Sequence, residues 1–146
     1  MSFQNIVVPV DGSETSLAAV AKAIDFAKTF NSKITVVQVM VLDPYIAAEY
    51  ISATQTNDLI ERARTSIVDN LNAVKSKLAA QGIDVETKLL EGQTVHTEIV
   101  KAAQDAQADL IIIGSHGRTG LKKFFLGSVA QSVLGSSDIP VMVVRK

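Results

Sequence analysis

The sequence predicts an α/β fold in which an open parallel sheet carries helices on both faces. Two observations lead to that expectation: five short apolar runs rich in β-branched residues, and segments of helical period that separate them. A third is the length of 146 residues at 15.6 kDa, within the usual size of one domain, so a single domain over 1–146 is expected.

The first run, Ile6 to Val10, is continuous rather than alternating, as suits a strand buried on both faces. Leu17, Val20, Ala21, Ile24 and Ala27 then recur at helical spacing, and Ile34 to Val41 supplies the second strand. Asp43 to Thr56 is weakly patterned. It reads either as a mobile loop or as a short irregular helix, with Ala47 to Tyr50 fitting both. The clearest helix follows, its stripe formed by Ile60, Ala63, Ile67, Leu71, Val74 and Leu78, with Gly82 placed to end it. Val85 to Leu90 contains Glu86, Thr87 and Lys88 and therefore belongs at a sheet edge. Ile99, Ala102, Ala103 and Ala106 mark the third helix, and Leu110 to Ile113 the fourth strand. A shorter helix starts at Ser128 and carries Val129, Val133 and Leu134, with Ser128 and Gln131 at capping-box spacing. Val141 to Val144 is the last strand. No internal repeat or low-complexity tract interrupts the alternation.

Composition excludes several function classes. Lys and Arg total 14 against 15 Asp and Glu, so nothing in the net charge of −1 favours a nucleic acid or an anionic membrane. The absence of cysteine removes disulfides, thiolate nucleophiles and cysteine-ligated zinc. No apolar run approaches the roughly 18 residues of a membrane span, and no charged leader precedes Phe3, so a soluble cytoplasmic protein is expected. Two separated histidines, His96 and His116, do not make a structural metal site, and His96 is expected at the surface.

In an open parallel sheet, ligands bind beyond the carboxyl ends of the strands, where the winding reverses. The loop after the first strand is Pro9-Val10-Asp11-Gly12-Ser13; the loop after the fourth runs from Gly114 to Ser128. Four of the chain's 8 glycines fall in the second loop, where backbone can approach a ligand closely. Gly127 and Ser128 immediately precede a helix, whose unpaired first amides favour an anion. From Leu110 to Ser137 there is no Asp or Glu, while Arg118, Lys122 and Lys123 make the segment +3 and leave −4 elsewhere. The P-loop and the Gly-x-Gly-x-x-Gly fingerprint are both absent.

Gly114-x-x-Gly117, nine further residues and Gly127-Ser128 resemble the Gly-2x-Gly-9x-Gly-Ser/Thr signature of ATP-binding universal stress proteins. The likeness extends over the chain, through the Pro9 to Ser13 turn, the second strand near Gln38-Val39, the Glu91-Gly92 turn and the terminal Ile139 to Val144. It implies a flavodoxin-like sheet of order 3-2-1-4-5 that binds an adenine nucleotide between the first and fourth strands. On that resemblance Asp11 contacts the ribose, Pro9 lies beside the nucleoside, and the backbone of Val39 reads adenine; Val10, between Pro9 and Asp11, is counted with the nucleotide-binding residues. The backbone of Gly114, Ser115, His116, Gly117, Gly127, Ser128 and Val129 surrounds the phosphates; by charge, Arg118, Lys122 and Lys123 can each reach them, with Arg118 foremost. The ligand is then ATP, with any Mg²⁺ held mostly by its phosphates. Family members often form homodimers through the last strand, here Val141, Met142, Val143 and Val144. Gln38 stands where a histidine is common, a change that backbone recognition tolerates.

Asp11 and Ser13 also suit ordinary capping of the first helix, and that role stays open beside ribose contact. His116 has no carboxylate partner in its loop and no catalytic residue is assigned. The expected function is a nucleotide-binding stress protein acting through ligand-dependent dimer or partner interactions. The alternatives are a nucleotide-consuming enzyme and a ligand-free dimerisation module. A branched side chain at Gly127 is expected to fill the phosphate space while leaving the fold intact.

Overall fold

A computed structural model describes residues 3–41, 53–116 and 126–145. Strand β1 (Asn5–Pro9) leads into helix α1 (Glu14–Phe30), then β2 (Lys33–Val41) and α2 (Ala53–Ala79). Strand β3 (Val85–Gly92), helix α3 (Val95–Asp105), β4 (Leu110–Gly114), α4 (Ser128–Ser136) and β5 (Val141–Val144) complete the alternation. All neighbouring strands are parallel, in the order β3-β2-β1-β4-β5. The winding therefore reverses between β1 and β4, and β3 lies at an edge, as its charged residues require.

Continuous apolar strands produce two cores because successive side chains point to opposite faces. Ile6, Val8, Leu110 and Ile112 face one way, against Val20, Ile24 and Ala27 of α1 and Ile67, Leu71, Val74 and Leu78 of α2. Val7, Val37, Ile111 and Ile113 face the other way, against Ile99 and Ala103 of α3 and Val133 of α4. The long stripe of α2 is buried as its period predicts, with Ile60 and Ala63 partly so. That helix ends at Ala79; Gly82 then takes φ +74°, and Ile83 N–H returns to the Leu78 carbonyl at 3.2 Å.

The face of α1 differs from the expected stripe. Leu17 is 43% exposed and Ala21 is also exposed, whereas Thr15, Ser16, Ala19 and Ala23 are buried with Val20, Ile24 and Ala27. Small residues let this helix lie close to the sheet, so the larger Leu17 turns outward. The weakly patterned 43–56 stretch is helical from Ala53 onward; its Ala47 to Tyr50 part lies outside the described residues.

Candidate functional site

The seam between β1 and β4 is short. Their register holds Ile6↔Leu110 and Val7↔Ile111 only, although β1 continues to Pro9 and β4 to Gly114. Proline supplies the reason. Val10 N–H donates to the Val37 carbonyl on the β2 side, so backbone alternation turns the Pro9 nitrogen toward β4, where it has no hydrogen to offer. Pro9 thus stops the ladder at the switch point, where open α/β sheets bind ligands.

Beyond Pro9 the chain enters a tight turn. Asp11 Oδ1 accepts the Ser13 N–H at 2.9 Å, and Gly12 takes φ +83°, a conformation that favours glycine. The second Asp11 oxygen has no partner among the described residues. Ser13 is the N-cap of α1, its hydroxyl accepting the Ser16 N–H at 3.2 Å. Capping therefore belongs to Ser13, and Asp11 supports it while keeping an acceptor half-exposed.

Strand β2 outruns β1. Val37 pairs opposite Pro9, so Val39 lies two positions past the end of β1. Val37 turns its carbonyl toward β1, and the same alternation directs the N–H and C=O of Val39 to that side. No described backbone group of β1 meets them.

The end of β4 packs against the first turn of α1. A Cβ at Gly114 would come within 2.9 Å of the Thr15 carbonyl carbon and oxygen, so only glycine permits this approach. Ser115 is buried; its N–H donates to the Val144 carbonyl at 2.8 Å and its carbonyl accepts the Gly127 N–H at 2.7 Å. The Ser115 hydroxyl lies 3.1 Å from His116 Nδ1. Thr15 Oγ1 donates to the His116 carbonyl. The Asp11 turn, the β4 end and the Gly127 turn are thereby tied together across 101 residues of sequence.

Helix α4 starts differently from expectation. Its N-cap is Gly127 (φ −62°, ψ 156°), which has no side chain to cap with, and Ser128 is the first helical residue. Gln131 does not complete a capping box; its Nε2 donates to the Leu126 carbonyl at 2.6 Å. The first turn of α4 holds no acidic residue. Ser128 is exposed and Val129 half-buried against the α3–α4 core. A Cβ at Gly127 would lie 3.0 Å from His116 Cα and 3.1 Å from the Ser115 oxygen. A Cβ there faces protein backbone rather than the expected phosphate space, so a side chain requires the His116 and Ser115 backbone to give by a few tenths of an ångström.

Gly117 and Arg118, with Lys122 and Lys123, lie outside the described residues. His96 sits half-buried in the first turn of α3 rather than fully at the surface. Among the described residues there is no cluster of three His, Asp or Glu that could hold a metal, and no helix long and apolar enough to cross a membrane. Sequence reading missed Thr15. A threonine in a first helical turn carries no local mark of a contact made so far along the chain.

Residues 2–145 match the model of the universal stress protein family. Universal stress protein MJ0531 of Methanocaldococcus jannaschii is 36% identical over 145 residues, covering 99% of this chain and 83% of that protein. The solved structure of hypothetical protein MJ0577 superposes with a TM-score of 0.88 at 31% identity, over 100% of this chain and 98% of that one. A crystal structure of a universal stress protein in complex with cAMP gives a TM-score of 0.68 at 25% identity, over 99% and 98% of the two chains. With five parallel strands in this order and a match over nearly its whole length, the chain belongs to the universal stress protein family.

Proposed function

We propose that residues 1–146 form one universal stress protein domain that binds ATP at the β1/β4 switch point and acts in the cytoplasm as a nucleotide-dependent module in stress response. The observation that carries this reading is the joining of the Asp11 turn to the Gly127 turn through Thr15, His116 and Ser115. In it, Asp11 offers to the ribose, beside Pro9 and Val10, the oxygen that has no partner among the described residues, and Val39 offers to adenine the backbone groups that no described group of β1 meets. Gly114, Ser115, His116, Gly117, Gly127, Ser128 and Val129 line the phosphates, assisted by Arg118. Any Mg²⁺ takes its ligands chiefly from the phosphates. The related protein crystallised with cAMP supports an adenine nucleotide as the ligand class.

Energetics favour binding over turnover. Occupancy at millimolar ATP needs only about −4 kcal/mol, within reach of several backbone hydrogen bonds strengthened by phosphate charge. Efficient hydrolysis needs roughly 8 kcal/mol or more of transition-state stabilisation. His116 has only the Ser115 hydroxyl as a side-chain partner among the described residues, and that pair lacks a carboxylate to orient it. Calorimetry of the purified chain with ATP is expected to give saturable binding; no heat at millimolar ATP removes the proposal.

The same reading makes the chain a homodimer through β5. This strand ends the sheet, and its four residues are apolar and only half-buried. The Pro140 and Val144 carbonyls bond to β4, so alternation turns the N–H and C=O of Val141 and Val143 to the outer edge. Val143→Pro removes an outward donor and spares the β4–β5 ladder. Sedimentation is expected to show a monomer for this variant and a dimer for the parent; an unchanged dimer excludes β5 as the interface.

A further inference from the structure

We propose that Thr15 is a positioning residue for the phosphate side of this site, holding the start of the β4–α4 loop in the shape an anion requires. The proposal rests on the nucleotide reading above, where Thr15 serves only as a link between the two turns, and gives this residue a role in shaping the phosphate side. Thr15 is 2% exposed although it lies in the first turn of a helix. Its hydroxyl carries a single hydrogen, which goes to the His116 carbonyl. The contact with Ser13 Oγ, 3.4 Å away, must then run with Ser13 as donor. Ser13 Oγ in turn accepts the Ser16 N–H. Three hydrogen bonds thus point one way, from an amide of α1 through two hydroxyls to a carbonyl of the loop, and each polarises the next.

The direction matters because a phosphate attracts amides and is repelled by carbonyl oxygens. Two successive carbonyls at the loop's start are both committed to protein donors: Ser115 to the Gly127 N–H and His116 to Thr15. The approach of α1 to Gly114 leaves no slack between these elements. Without the Thr15 hydroxyl the His116 carbonyl loses its donor and is free to turn toward the anion.

Calorimetry of the full chain with ATP and, separately, with adenosine tests this. Adenosine reports the nucleoside side alone. Thr15→Val, which keeps the shape and removes the hydroxyl, is expected to weaken ATP binding about tenfold and to change adenosine binding by less than about twofold. Thr15→Ser is expected to restore ATP binding to within about threefold of the parent. Thr15→Ala, which lays no methyl against the carbonyl, is read in the same way should the valine variant fail to fold. Equal losses for ATP and adenosine would make Thr15 a general support of the fold and overturn the proposal. So would unchanged ATP binding in the variants, or a serine variant as weak as the valine one. If the parent binds neither compound, the nucleotide reading fails and the role of Thr15 with it; if the parent binds ATP, variant results bear on Thr15 alone.

Discussion

Helices α1 and α4 both begin at the carboxyl end of the sheet, on its opposite faces, yet their first turns are finished differently. At α1 the Ser13 hydroxyl accepts the Ser16 N–H, Asp11 holds the Ser13 amide, and Glu14 sets a negative charge in the first turn. At α4 the cap is a glycine, no side chain of the described residues caps the opening amides, and the first turn holds no acid. One helix satisfies its positive end from its own sequence. The other has no such side chain among the described residues, and on the nucleotide reading proposed above its positive end meets the phosphates. The same local physics thus gives one helix a start finished by side chains and the other a start that no described side chain caps.

Substitutions at the two caps should separate these roles. The largest effect is expected from Gly127→Val, since its Cβ meets the His116 and Ser115 backbone at 3.0 and 3.1 Å. The variant should lose about 1–3 kcal/mol in denaturant unfolding as well as its ATP affinity, and normal binding would place the ligand elsewhere. A smaller effect is expected from Ser13→Ala, about 1 kcal/mol of stability through loss of the cap, whereas Ser128→Ala at a first helical position should leave the melting temperature within error and weaken ATP. Equal destabilisation by both would erase the contrast between the two helices. The smallest is expected from Gly135→Ala, which meets nothing within 4 Å inside α4 and should add about 0.5 kcal/mol without altering affinity.

Long-range order was more legible than local phase. Continuous apolar runs marked β1, β2 and β4 as doubly buried strands, and Glu86, Thr87 and Lys88 placed β3 at an edge. The stripe of α1 was misread because Leu17 outweighs alanine in any hydrophobic periodicity, while close packing selects Ala19 and Ala23 for the buried side. Ser128 looked like a cap because its residue type suits one, but the preceding glycine already has the extended backbone of that position. The glycine spacing pointed to the loop, yet it did not reveal that neighbouring backbone demands glycine at 114 and crowds any side chain at Gly127. Thr15 was invisible for a different reason: its partner is 101 residues away, and no pattern of period 2 or 3.6 encodes such a contact.

The brevity of the β1–β4 ladder has a mechanical consequence. Two register pairs join β1–α1–β2–α2–β3 to β4–α4–β5, against five between β1 and β2 and eight between β2 and β3. A molecule gripping the turns on either flank of that joint would act as a clasp, adding its binding free energy where the two halves of the sheet have fewest backbone bonds in common. Hydrogen exchange at Ile112 and Gly114 would then slow on saturation more than exchange at the outer β2–β3 ladder, so that the state of the joint reports whether the clasp is closed.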